Sequence, residues 1–369
     1  MAVTAYSTND ALSVKLWRRK LFREVISPTD VGRFFGMDSN SLIQIVDDPK
    51  KDAGDRVTIG LRMQLTGAGI AGDGTLEGSE EALVVFSDNV FVDQLRHAVR
   101  SAGRMSEQRV MFNVREEGRM GLTDWWRHRL ATSFFNQVCG NLAQTDTKFT
   151  GMQTAITADA QHNLVARDPT PIFTSGANVV ATISASDGNR MNLSFIDIAV
   201  SQAKTTTPFI RPIMIPNLGE MYVMFIHPFQ TRDMRVATGT GTWQDIQKAA
   251  MQGGQISNSP LFTGALGVYN NVILHEDSRV PLGADNAGTA VANTRAAVLC
   301  GAQAMSFAMG RGFDTPDKGL QVKMSWEEEL FDFRNQYGVA AGMIWGMKKM
   351  QFNAVDFASI RTVTRAVSN

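Results

Sequence analysis

Arg56-Val57-Thr58-Ile59-Gly60-Leu61-Arg62-Met63-Gln64-Leu65-Thr66 alternates without a break. It runs on into Gly67-Ala68-Gly69-Ile70-Ala71-Gly72-Asp73-Gly74-Thr75-Leu76-Glu77-Gly78-Ser79-Glu80-Glu81. Val57, Ile59, Leu61, Met63 and Leu65 share one face, and Arg56, Thr58, Arg62, Gln64 and Thr66 the other. A period of two is that of a strand with one side in solvent. A second β-rich run, Leu83 to Leu95, follows a connection holding five glycines. The pair predicts a long hairpin with a glycine-rich tip. A two-stranded arm has no core and is marginal alone, so it needs a surface to lie on.

The same tip contains a literal G-x-G-x-x-G at 67–72, directly after a strand, with Asp88 about 20 residues on. A dinucleotide site also needs a helix starting at the third glycine, so that its N-terminus faces the pyrophosphate. Asp73 to Ala82 offers two more glycines, four acids and no apolar stripe, and those acids repel phosphate. The nucleotide reading is therefore set aside, and a soluble α/β nucleotide-dependent enzyme using 67–72 stays only as the alternative.

Working outward, Asn9–Ile26 reads as an amphipathic helix. It carries Lys15, Arg18, Arg19, Lys20 and Arg23 and is stopped by Ser27-Pro28. A solvated face is the ordinary meaning of such a cluster. Thr123–Leu142 reads as a buried helix with Thr123 as cap and Trp126, Leu130, Phe134 and Val138 on one stripe. Within it Cys139 is a small core residue rather than a nucleophile. Residues 145–190 read as loops and short elements. Beyond them Leu193–Lys204 and Thr242–Met251 read as helices, and Tyr222–His227 and Val268–Leu274 as strands. Ala296–Met309 is apolar and open between helix and buried strand. Val322, Met324 and Trp326 alternate, and strand-like sequence runs to Phe352.

The chain has 369 residues, enough for two or three domains. Lys plus Arg and Asp plus Glu are 36 each, so the net charge is zero. That argues against a dedicated nucleic-acid binder, whose affinity comes from neutralising phosphates, and towards association. Two cysteines cannot make a disulfide framework or a four-thiolate zinc site. No two of the five histidines have the i, i+4 spacing of a helical metal site, and no nucleophile elbow or Walker loop occurs. His275-Glu276-Asp277 reads as a solvated strand end rather than a metal or base site. The 15 uncharged residues of Ala296–Gly310 are too short to span a bilayer, and no secretory signal is visible. No catalytic, cofactor or metal site assembles, so the expectation is a soluble non-enzyme made in a reducing cytoplasm.

The run Leu65–Gly69 with Gly72–Glu81 resembles the signature of a family of tailed-phage major capsid proteins, related to the major head protein of coliphage N-four. Gln94–Arg100, Met105–Arg109, Tyr222–Pro228 and Leu274–Glu276 are similar to that family too. The resemblance implies an α+β Hong-Kong-97 phage-type fold. Its expected parts are an N-terminal arm at 1–50, an E-loop hairpin at 51–98 and a peripheral (P) domain with a spine helix at 99–189. An axial (A) domain follows at 190–312, and P-domain return strands at 313–369. It implies a protein that self-assembles as pentamers and hexamers into an icosahedral head around double-stranded DNA. Portal, scaffolding and decoration proteins are the further partners, no membrane is involved, and the location is the virion shell. Some relatives of that fold crosslink a Lys to an Asn, but the hairpin has no Lys between Arg56 and Leu95.

Charge along the chain adds a contact expectation. The tip carries Asp73, Glu77, Glu80 and Glu81 without a base, and Arg96, Arg100, Arg104 and Arg109 follow the hairpin, with Arg127 and Arg129 on the long helix. The acidic tip is expected to pair with the basic base of a neighbour. The basic N-terminal residues are expected to face the lumen or an adjacent subunit.

Overall fold

In a computed structural model the described residues are 31–47, 55–62, 67–78, 80–82, 85–109, 114–167, 171–174, 180, 183, 187–216, 219–237, 265–285, 288–310 and 324–368. The N-terminal helix with its five basic residues, the helix expected at Thr242–Met251, and Val322 lie outside them.

Gln336–Lys349 organises the first sheet. Its first half pairs antiparallel with Met324–Phe331 on one side and Asp93–Arg100 on the other. Its second half takes Met305–Met309, which pairs in parallel with Ile43–Asp47. The second sheet is mixed, running 265–269, 272–276, 219–226, 294–300, 359–365, 163–165 and 172–173, with 213–215 on the strand Gly219–Ile226. Ile43–Asp47, expected in the arm, and Met305–Met309, expected in the A domain, both join the first sheet. Ser359–Arg365, expected as a P-domain return, pairs in the second.

The long helix is Val114–Val138, 25 residues, and starts well before the expected Thr123. Thr123 is no cap: its Oγ1 donates to Arg119 O at 2.8 Å, one turn back inside the helix. Gly140 stops it in the left-handed region (φ 58°), where a Cβ would also lie 2.6 Å from Ile156 O. The predicted stripe is correct, with Trp126, Leu130, Phe134 and Val138 all buried. Phe134 and Phe135 meet Phe225 of the second sheet edge-on at 5.4 and 5.5 Å, and Phe34 meets the same ring at 5.4 Å. One continuous core joins the helix to both sheets, with Phe307, Trp326 and Trp345 on the first-sheet side.

Two apolar runs resolve into pairs. The strand expected at Val268–Leu274 is a hairpin, Ala265–Tyr269 and Val272–Glu276, turned by Asn270 and Asn271 at positive φ. Asparagine tolerates that region, and paired positive φ is what a two-residue hairpin turn requires. Ala296–Met309 is two buried strands, Thr294–Cys300 and Met305–Met309, in different sheets. The sequence also leaves Pro228–Val236 unread. It is a helix with His227 at the N-cap, Pro228 in the first turn and Gln230 completing a capping box.

Candidate assembly surfaces

The expected hairpin is present: Arg56–Arg62 pairs antiparallel with Val85–Phe91, from Arg56↔Phe91 to Arg62↔Val85. Its root has a partner in its own chain, which the sequence does not reveal. Val57, Ile59 and Val90 are buried in the main core. Asp88 accepts from Lys348 Nζ and, at 3.2 Å, from Gln351 N, while Lys348 Nζ also donates to Asn89 O at 3.1 Å. The crossing is close enough that a Cβ on Gly346 would sit 1.8 Å from Phe91 O. The arm is thus pinned at its base.

Beyond the root, the described tip residues 67–78 and 80–82 hold no helix or strand and are exposed. No helix follows the third glycine, so no anion cradle forms there. Glu81 Oε2 accepts from Gly67 N at 2.7 Å, tying the neck of the tip, and Glu80 Oε2 accepts from Gly78 N at 2.8 Å. Asp73 and Glu77 make no hydrogen bond or ion pair with the described residues.

Asp93–Arg100 continues from the hairpin as an edge strand with seven of its eight residues exposed. Such an edge invites pairing unless it is covered or charged. Arg96 and Arg109 are exposed. Arg100 donates to Gln336 Oε1 and lies 4.3 Å over the Phe331 ring. Arg104 opens the short helix Arg104–Gln108, its backbone N–H reaching Asn335 Oδ1 at 3.4 Å. Arg127 pairs with Asp124 at 3.1 Å. Arg129 lies over Phe149 at 3.8 Å and Trp125 at 4.9 Å, and burial holds its pKa below the usual arginine value. The base is therefore basic, but several of its charges are already engaged.

A cavity of ≈ 270 Å³ lies at the far end of this surface, lined by Arg104, Arg115 and Arg334 among others. Arg115 is committed to Glu328 through Nε and Nη2 at 2.9 and 2.8 Å. Arg334 is missed from sequence because it joins the cluster only when a turn 230 residues later folds back. Its signal was Asp332 and Asn335, two turn formers flanking Phe333 and Arg334 between two strands.

Among the described residues the titratable side chains named from sequence serve packing rather than a common centre. Among the described residues no group of His, Cys, Asp and Glu has the geometry to hold a metal. Cys139 and Cys300 are free and fully buried, and burial pushes the Cys139 thiol up to about 12 and Cys300 well above its usual value. Cys139 Sγ donates to Ala296 O at 3.2 Å, a core contact as expected. His275 packs edge-on against Phe34 at 5.2 Å rather than standing free at a strand end. None of the described helices is long and apolar enough to cross a membrane.

Comparison with known proteins agrees with this geometry. The phage capsid protein family matches residues 5–368. The major capsid protein of Pseudomonas phage KPP25 is 27% identical over 384 aligned residues, covering 97% of this chain and 96% of that one. The capsid of Ralstonia phage GP4 superposes with a TM-score of 0.73 at 30% identity, covering 100% of this chain and 99% of that one. The capsid asymmetric unit of cyanophage Pam1 superposes at 0.66 with 19% identity, covering 100% and 97%, which bears on the fold alone. The α+β architecture is of the Hong-Kong-97 phage type. No observation favours the nucleotide enzyme, and the chain belongs to the phage capsid protein family as a major capsid protein.

Proposed function

We propose that this subunit assembles with copies of itself, as pentamers and hexamers, into an icosahedral head that encloses double-stranded DNA. The observation that carries this is the hairpin arm: it is locked to its own subunit at Asp88 and Lys348 while the described tip residues 67–78 and 80–82 are exposed. Burial of such an arm belongs to large obligate interfaces. In this reading the first sheet and the long helix form the P domain and the second sheet forms the A domain. Lys15, Arg18, Arg19, Lys20 and Arg23 face the lumen or a neighbour, where they screen phosphates or pair with acids. Portal, scaffolding and decoration proteins complete the partner set, and assembly takes place in the host cytoplasm without catalysis by this chain. The test is expression of the full chain, with scaffold where one is needed, followed by light scattering and negative-stain microscopy. Megadalton shells are expected. A monodisperse ~40 kDa species under every assembly condition counts against the proposal.

A further inference from the structure

Tip and cavity lie at opposite ends of one continuous ribbon. Gly338 is paired with Arg100 and Trp345 with Asp93, Gly346 crosses Phe91, and Lys348 holds Asp88. The chain from Arg100 back to Asp88 therefore follows one long strand without turning. At ~3.3 Å per residue these twelve steps span roughly 40 Å, and the hairpin strands run on at that end to the pair Arg62↔Val85. The cavity sits at the Arg100 end. A subunit's own tip cannot reach its own cavity.

The cavity is made for an anion. The side chains of Arg104 and Arg334 have no carboxylate partner among the described residues, and Glu107, which lines the same space, pairs with neither. Its floor is rigid. Asp332, Phe333 and Arg334 all adopt left-handed backbone (φ 50°, 48° and 69°), a conformation that costs about 1–3 kcal/mol per residue and persists only where the surroundings enforce it. Asn335 N donates to Asp332 O at 2.8 Å, and Gln336 Nε2 reaches Ala102 O at 3.4 Å. At the other end of the ribbon, Glu80 and Glu81 each accept one hydrogen bond from their own backbone, whereas Asp73 and Glu77 accept none from the described residues and are the least constrained acids of the tip. Leu76 between them is exposed, as is Leu330 on the cavity wall.

We infer that the arginine cavity of one subunit receives Asp73 and Glu77 from the hairpin tip of a second copy. This rests on the shell reading and narrows it to two residues on each side. Because tip and cavity are different patches at opposite ends, the contact is head-to-tail and propagates round a ring. Exposed pairs are individually weak, so the contact sets register and orientation through repetition.

Charge reversal tests it in the full chain, with folding checked by circular dichroism. Asp73→Arg with Glu77→Arg, and separately Arg104→Glu with Arg334→Glu, should each lower the assembled fraction about tenfold or more, and combining all four should restore it. Either reversal assembling like wild type, or a combination no better than its parents, overturns the inference while wild-type shells still stand. Wild type making no particles overturns the shell reading and this inference together. If a reversal fails to fold, Glu77→Cys with Arg334→Cys decides instead, since the native cysteines are buried. An intersubunit disulfide in oxidised particles supports the contact, and its absence from them overturns it.

Discussion

His227 caps Pro228–Val236 with Nδ1 accepting from Phe229 N–H at 3.1 Å, and the His227 backbone N–H donates to Gln230 Oε1 at 2.9 Å. Burial first, and then the Arg295 charge, hold its pKa down at about 4. Unfolded, the imidazole takes its proton near 6.5. Between those values the unfolded chain binds the extra proton, so stability falls as pH drops from about 6.5 to about 4 and this contribution then levels off. His227→Asn keeps a cap acceptor and should lack that part of the slope, read as the difference between the two melting-temperature profiles. A second residue-scale case is Lys349 with Asp356, both 1% exposed and 2.8 Å apart. Asp356→Ala strands a buried ammonium and should cost about 3–5 kcal/mol, whereas Lys349→Met with Asp356→Leu should cost far less. Denaturant unfolding of the unassembled subunit measures both.

Among the elements, the hairpin is the one whose setting matters most. Its strands were legible because alternation writes a half-buried strand directly into sequence. Its anchor was not, because Asp88 and Lys348 are 260 residues apart. Both side chains are mostly buried, and a charge-assisted hydrogen bond in that setting contributes about 1.5–3 kcal/mol. Asp88→Ala should therefore loosen the arm without unfolding the body. Trypsin cleavage at Arg56 and Arg62 should rise roughly tenfold in the unassembled subunit while the melting temperature of the core holds. Equal cleavage of wild type and variant would show that the arm is held elsewhere. Thr123 illustrates the opposite error. A threonine before an apolar stripe resembles a cap, but the helix had begun nine residues earlier and the hydroxyl was satisfied within it.

At the scale of the whole molecule, zero net charge hides a separation of sign that the fold stretches along one ribbon, with the acids at the tip and the arginine cavity at its far end. The basic N-terminal segment is the other part that reads as an extension from sequence. Deleting residues 1–27 should leave the subunit's cooperative melt in place while impairing assembly, seen as loss of the megadalton peak in light scattering. Loss of the melt itself would place that segment in the core.

Sequence alone determined what depends on neighbours in the chain. It gave the faces of the hairpin strands, the buried stripe of the long helix, the inertness of Cys139 and the failure of the 67–72 glycines as a nucleotide cradle. Each follows from periodicity, burial or local charge, which a short window already contains. Tertiary structure decided everything that needs a partner. It split Ala296–Met309 between two sheets, sent Ser359–Arg365 to the second, packed half-buried His275 against Phe34, and brought Arg334 beside Arg104. It also separated the acids tied to backbone, Glu80 and Glu81, from the untied ones, Asp73 and Glu77. A strand's alternation says which face is buried but carries no label for the strand beside it, and a charge count cannot say which charged groups are already hydrogen-bonded. Those choices are made by long-range packing.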